Sequence, residues 1–99
     1  MIKHILIAIL KYTKPLKEVD ALLSRHRDYL EKLLKQNRLL ICGRLHPRTG
    51  GVIIAKNISY QEFEKILADD PFSAVSTYQI FEFAPALYDE SLRECLSGE

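Results

Sequence analysis

The chain has 99 residues, the size of one domain, and its 47% hydrophobic against 27% charged side chains is the balance of a packed globular protein. Fourteen basic and thirteen acidic side chains leave a net charge of +1 and alternate in sign along the chain, which excludes the basic face that a nucleic-acid binder needs. Cys42 and Cys95 lack redox or metal-ligand spacing, so free thiols in a reducing, cytoplasmic compartment are expected rather than a disulfide.

Residues 2–11 read as a first strand in which Ile5, Ile7 and Ile9 alternate with Leu6, Ala8 and Leu10. Both faces of that strand are apolar, so both need cover. The run is too short for a signal-peptide core and far too short for a membrane span. Pro15 suits the first turn of a helix, and from Leu16 to Asn37 the residues Val19, Leu22, Leu23, Tyr29, Leu30, Leu33 and Leu34 keep three-and-four spacing. A helix of that length reaches roughly 33 Å, longer than a six-residue strand of about 20 Å supports. A break is therefore expected, at Ser24, a good N-cap residue. His26 fills the one gap in the apolar stripe.

Leu39–Leu45 and Gly51–Lys56 read as two strands joined by the turn His46-Pro47-Arg48-Thr49-Gly50, making a hairpin. Ser59-Tyr60-Gln61-Glu62 is a capping box that opens a second helix with the inward stripe Phe63, Ile66 and Leu67. That helix should stop at Asp70, because Pro71 follows. Thr77–Ala84 is the fourth strand, with Phe81 and Phe83 on one face and Tyr78 and Ile80 on the other. A short helical turn is expected in the tail. One domain over residues 1–99 is expected, with its core in 1–86 and a tail at 87–99.

The order βαββαβ predicts an α+β, ferredoxin-like sandwich with an antiparallel sheet of order 4-1-3-2 and both helices on one face. The first and third strands, the most evenly apolar, then fall at the centre. The uncovered apolar face calls for a second copy of the same sheet, so a homodimer is expected. RNA-recognition modules share this element order but need stacking aromatics on the first and third strands, which here carry none, so no nucleic-acid partner is expected.

In this topology the C-terminal end of the second helix lies at the same end of the sheet as the first half of the first helix. His26 and Asp70 are thereby expected to be neighbours, Asp70 continuing the stripe of Phe63 and Ile66. A carboxylate beside an imidazole fixes its tautomer and holds the ring, the arrangement of a general acid or base. The plainer reading is a structural pair, with His26 satisfying a buried carbonyl or helix end and Asp70 capping a turn. Tyr12 and Tyr78 fall at the same end and are candidates for a pocket wall. No metal and no cofactor are expected: His4 and His46 have no ligand spacing around them, Ser24 lacks a nucleophile elbow, and Thr49-Gly50-Gly51 is too short for a phosphate loop.

Taken together, His26 before Tyr29-Leu30, the run Arg38-Leu39-Leu40 to Gly43, Gly51, Asp70-Pro71-Phe72 and Pro85 make the chain resemble the YciI-like (YCII-related) family of dimeric α+β barrels. The resemblance implies a dyad of His26 and Asp70 in a cleft of a dimer, acting on a small molecule. It adds Gly43 and Phe72 to the candidate pocket residues. Relatives often carry arginine where Leu23 stands, proline where Arg44 stands and glycine where Asn37 stands, which implies an altered pocket. Arg25 and Arg44 are candidates for the missing positive charge toward an anionic substrate. The implied activity is lyase-like or isomerase-like proton transfer; the alternative is a non-catalytic ligand-binding or interaction domain.

Overall fold

A computed structural model describes residues 4–96. Strand β1 (Ile5–Tyr12) leads through Pro15 into helix α1 (Leu16–Lys35), followed by the hairpin of β2 (Leu39–Arg44) and β3 (Gly50–Ala55). Helix α2 (Tyr60–Asp69), a 3₁₀ turn (Pro71–Ala74), β4 (Ser76–Phe83) and a tail with the short helix α3 (Arg93–Leu96) complete the chain. The strands form one antiparallel sheet in the order β2-β3-β1-β4, the expected order read from the other edge. Strand boundaries fall within about a residue of those expected, except that the start proposed at residues 2 and 3 lies outside the described residues.

Alternation along the central strands sends Leu6, Ala8 and Leu10 of β1 and Ile53 and Ala55 of β3 to one face. There they join Val19, Leu30 and Leu33 of α1 and Phe63, Ile66 and Leu67 of α2 in a single core. The same alternation sends Ile7, Ile9, Ile54 and Phe81 to the opposite face, in register across three strands. On that face Ile9, Ile41, Phe81 and Phe83 remain 41–58% exposed.

Helix α1 runs unbroken for 20 residues, which corrects the break expected at Ser24. The expectation assumed a six-residue supporting strand, whereas β1 and β4 each have eight residues, about 27 Å, close to the roughly 30 Å of the helix. Ser24 sits on the exposed side of the helix interior, where it costs little propensity and interrupts nothing.

The two ends of the helices are closed by local chemistry. Asn37 adopts a left-handed φ of 60°. The N–H of Arg38 then donates to the carbonyl of Leu33 and that of Asn37 to the carbonyl of Leu34, a Schellman closure. Asparagine tolerates this conformation better than other side-chain-bearing residues, so a glycine is not required here. At α2 the Ser59 hydroxyl accepts the Glu62 N–H at 3.1 Å, as the capping-box spacing predicted.

Gly50 admits no side chain. A Cβ there would lie 1.8 Å from the Leu10 carbonyl oxygen, so glycine lets β3 start tight against β1. The backbone of the preceding turn is drawn in with it, and the Tyr12 N–H donates to the Thr49 carbonyl at 2.9 Å.

Candidate functional site

His26 lies seven residues after Val19 and four before Leu30, on the core-facing side of α1. Asp70 ends α2 because Pro71 cannot supply the next helical N–H, and its carboxylate then caps the 3₁₀ turn. The two elements bring Asp70 Oδ1 to 2.7 Å from His26 Nδ1, and the same oxygen accepts the Phe72 N–H at 2.9 Å. Asp70 is 2% exposed and its Oδ2 has no hydrogen-bond partner among the described residues. A carboxylate only accepts, so Nδ1 donates and Nε2 is left as the available ring nitrogen.

The ring is held from a second direction. Phe72 stacks on His26 with centroids 3.6 Å apart and planes within 4°, and Tyr12 meets Phe72 edge-on at 6.0 Å. Beside this pair the Tyr29 hydroxyl donates to the Ile66 carbonyl at 2.8 Å, tying α1 to the last turn of α2. Burial, with the nearby negative charges of Asp69 and Asp70, pushes the Tyr29 phenol up to about 12.

His26 opens onto a cleft of about 390 Å³ between α1 and the β2–β3 side of the sheet. Its apolar wall comes from Leu23, Leu30, Leu34 and Ile53, and Phe72 and Tyr12 close the end beside His26. Cys42 also lines it; burial first, and then the Asp70 charge, pushes that thiol up to about 11, so it is no nucleophile near neutral pH. Arg27, Arg44 and Arg48 line the cleft together with Glu31.

Of the residues expected at the site, the structure brings together His26 and Asp70 and places Tyr12, Gly43, Arg44 and Phe72 on the cleft wall. Arg25 and Tyr78 do not line it. Arg25 is turned by about 100° from His26 on the helix and is exposed. Tyr78 belongs to β4, on the far side of β1 from the hairpin that walls the cleft. Arg48 is the residue that sequence reasoning missed. It stands in the β2–β3 turn, with its guanidinium paired to Asp20 of α1, 28 residues away in sequence. Asp20, first, and then the Tyr12 oxygen, hold Arg48 in its charged form against partial desolvation. No local spacing announces a pair so far apart.

Fold and site together define a class: a ferredoxin-like α+β domain with a histidine–carboxylate pair at the end of a cleft between helix and sheet. The chain belongs to the YCII-related domain family, whose model matches residues 5–84. No curated protein matches it. Among solved structures it is similar to 5-chloro-2-hydroxyhydroquinone dehydrochlorinase (TftG) from Burkholderia phenoliruptrix AC1100, in complex with 2,5-dihydroxybenzoquinone. That likeness has a TM-score of 0.70 at 18% identity and covers 85% of this chain and 96% of the other. At such identity it speaks for the shared fold.

No helix among the described residues is long and apolar enough to cross a membrane. Among those residues there is also no group of three or more His, Cys, Asp or Glu side chains arranged to hold a metal ion.

Proposed function

We propose that the protein is a small lyase- or isomerase-like enzyme in which His26 moves a proton and Asp70 positions it. The observation that carries this reading is the Asp70 carboxylate, buried and fixed by the Phe72 N–H, holding Nδ1 of a histidine that lines a cleft. With Nδ1 committed, Nε2 accepts a proton from a C–H or O–H of a small molecule, and Asp70 stabilises the imidazolium that forms. In an elimination the C–H bonding pair becomes the new π bond and the leaving group departs with its own pair. In an isomerisation Nε2 returns the proton to a different atom. The dehydrochlorinase activity of the structurally similar TftG supports a search that begins with eliminations on halogenated phenols.

The reading includes a homodimer formed through the sheet face opposite the helices, where Ile9, Ile41, Phe81 and Phe83 are exposed. Both cysteines are free, which supports a cytoplasmic, reducing setting.

The test is turnover of a panel of hydroxylated and halogenated aromatics, 5-chloro-2-hydroxyhydroquinone included, read by chloride release and ultraviolet spectra. His26→Gln should lower turnover by about 10²- to 10⁴-fold while circular dichroism stays native. Undiminished turnover in that variant ends the reading. Binding without consumption, weakened by His26→Gln, replaces it with a non-catalytic ligand-binding domain.

A further inference from the structure

The cleft carries information about what enters it, and that information lies outside the His26–Asp70 pair. Its volume of about 390 Å³ exceeds the ~150 Å³ cavity that takes benzene, so it has room for one ring and its substituents. The edge of the stacked His26–Phe72 pair and the aliphatic side chains of Leu23, Leu30 and Ile53 suit a planar, apolar body.

The polar end of the cleft is cationic. Arg27 and Arg44 are exposed, whereas the Arg48 side chain is 21% exposed and anchored. Two things hold it: the Asp20 carboxylate on Nη2, and the backbone bond from Tyr12 to Thr49 that fixes the turn; the Tyr12 oxygen also favours its charged form. Asp20 takes Nη2, and Nε is buried in the protein without a hydrogen-bond partner among the described residues, so the donors open to the cleft are the remaining terminal N–H groups. A guanidinium offers five donors in a rigid fork, so N–H groups are left for a second anion. The Asp20 carboxyl is itself held down by Arg48 and, from further off, by Arg44. This cluster therefore keeps a surplus of positive charge although Arg48 has a partner.

Tyr12 joins the two ends of the cleft. Tyr12 meets Phe72 edge-on, Phe72 lies flat on His26, and the Tyr12 oxygen favours the charged form of Arg48. We propose that Arg48 is the specificity-determining residue of this cleft, binding the carboxylate or phenolate of a single-ring aromatic anion and so presenting the ring to His26. This rests on the cleft being the working site, as in the proposed function, but not on any turnover there. Discrimination arises because a neutral isostere brings no charge to the N–H groups that Asp20 leaves open or to the surplus positive charge around them.

The experiment compares salicylate with salicylamide, which share ring and shape but differ in charge, by calorimetry and by amide chemical shifts of His26 and Phe72. Wild-type protein should bind salicylate about tenfold or more tightly than salicylamide, with shifts at both residues. Arg48→Gln should erase that ratio by weakening salicylate while leaving salicylamide within about twofold; Arg48→Lys should fall between. Because the acid-to-amide ratio is first read in the wild-type protein, a poorly folding variant does not remove the test. Equal binding of the two probes, binding of neither, or loss of both together in a folded Arg48→Gln overturns the inference. Charge-selective binding with no turnover of any substrate would end the enzymatic reading and leave this one standing.

Discussion

The two faces of the sheet are built from the same strands with nearly the same residue types, yet they behave differently. On the helix side Ala8, Ala55 and Phe63 are fully buried, and Asp70, the charged side chain buried in that layer, is paired with His26 through Oδ1. On the other side Ile9, Phe81 and Phe83 keep 41–48% of their surface. The contrast teaches that apolar content does not locate a core; the elements packed on a face do. It also teaches where chemistry resides. A polar group under the helices must be paired and held, and a paired, held group at a cleft is the one to which the proposed proton transfer is assigned.

The largest expected effect sharpens this contrast. Phe63→Ala removes a fully buried ring and should cost about 3–5 kcal/mol in urea unfolding, independent of protein concentration. Phe81→Glu, on the open face, should act differently. Sedimentation equilibrium should show a loss of self-association, and any concentration dependence of unfolding should vanish with it. A Phe81→Glu protein that associates like wild type breaks the proposed dimer face.

A second test uses pH. Burial first, with Asp70 second, raises the Cys42 thiol from 9.0 to about 11. Burial also leads in raising the Tyr29 phenol from 10.0 to about 12. Both groups hold their protons more tightly in the folded chain than in the unfolded one. Their contribution is therefore fully present below about pH 9 and is lost as pH climbs through the window to 12. Stability measured from pH 8 upward should decline, and Cys42→Ala should flatten the early part of that decline. A thiol reagent at pH 8 should modify the exposed Cys95 well before Cys42.

The smallest effect is at Ser24. On the exposed side of an uninterrupted helix, Ser24→Ala should be neutral or stabilise by up to about 0.5 kcal/mol. A loss of about 1 kcal/mol or more in urea unfolding would mean that Ser24 caps a helix start and that α1 is broken there.

Much of the fold was legible because its signals are local. Three-and-four spacing marked α1 and α2, two-residue alternation marked β1 and β4, and the Ser59–Glu62 spacing marked the α2 cap. The helix break at Ser24 was misread because the helix was measured against a typical six-residue strand, although the stretches read as the first and fourth strands were already ten and eight residues long. At the site, His26 and Asp70 stood out as ionisable groups on apolar stripes. Arg25 and Tyr78, on α1 and β4, do not line the cleft, and Arg48 was overlooked because nothing in a turn sequence states which way its side chain reaches.

By itself the sequence determined the elements, their order, the two-faced apolar strands and the pair of polar residues turned inward, since each follows from backbone periodicity and from the need to satisfy buried polar groups. The tertiary structure alone decided that His26 Nδ1 is the nitrogen taken by Asp70, that Phe72 lies flat on the ring, and that Arg48 crosses to Asp20 at the cleft. Those are contacts between residues 28 to 46 positions apart, and their geometry is set by how helices and hairpin seat on the sheet rather than by any local preference of the chain.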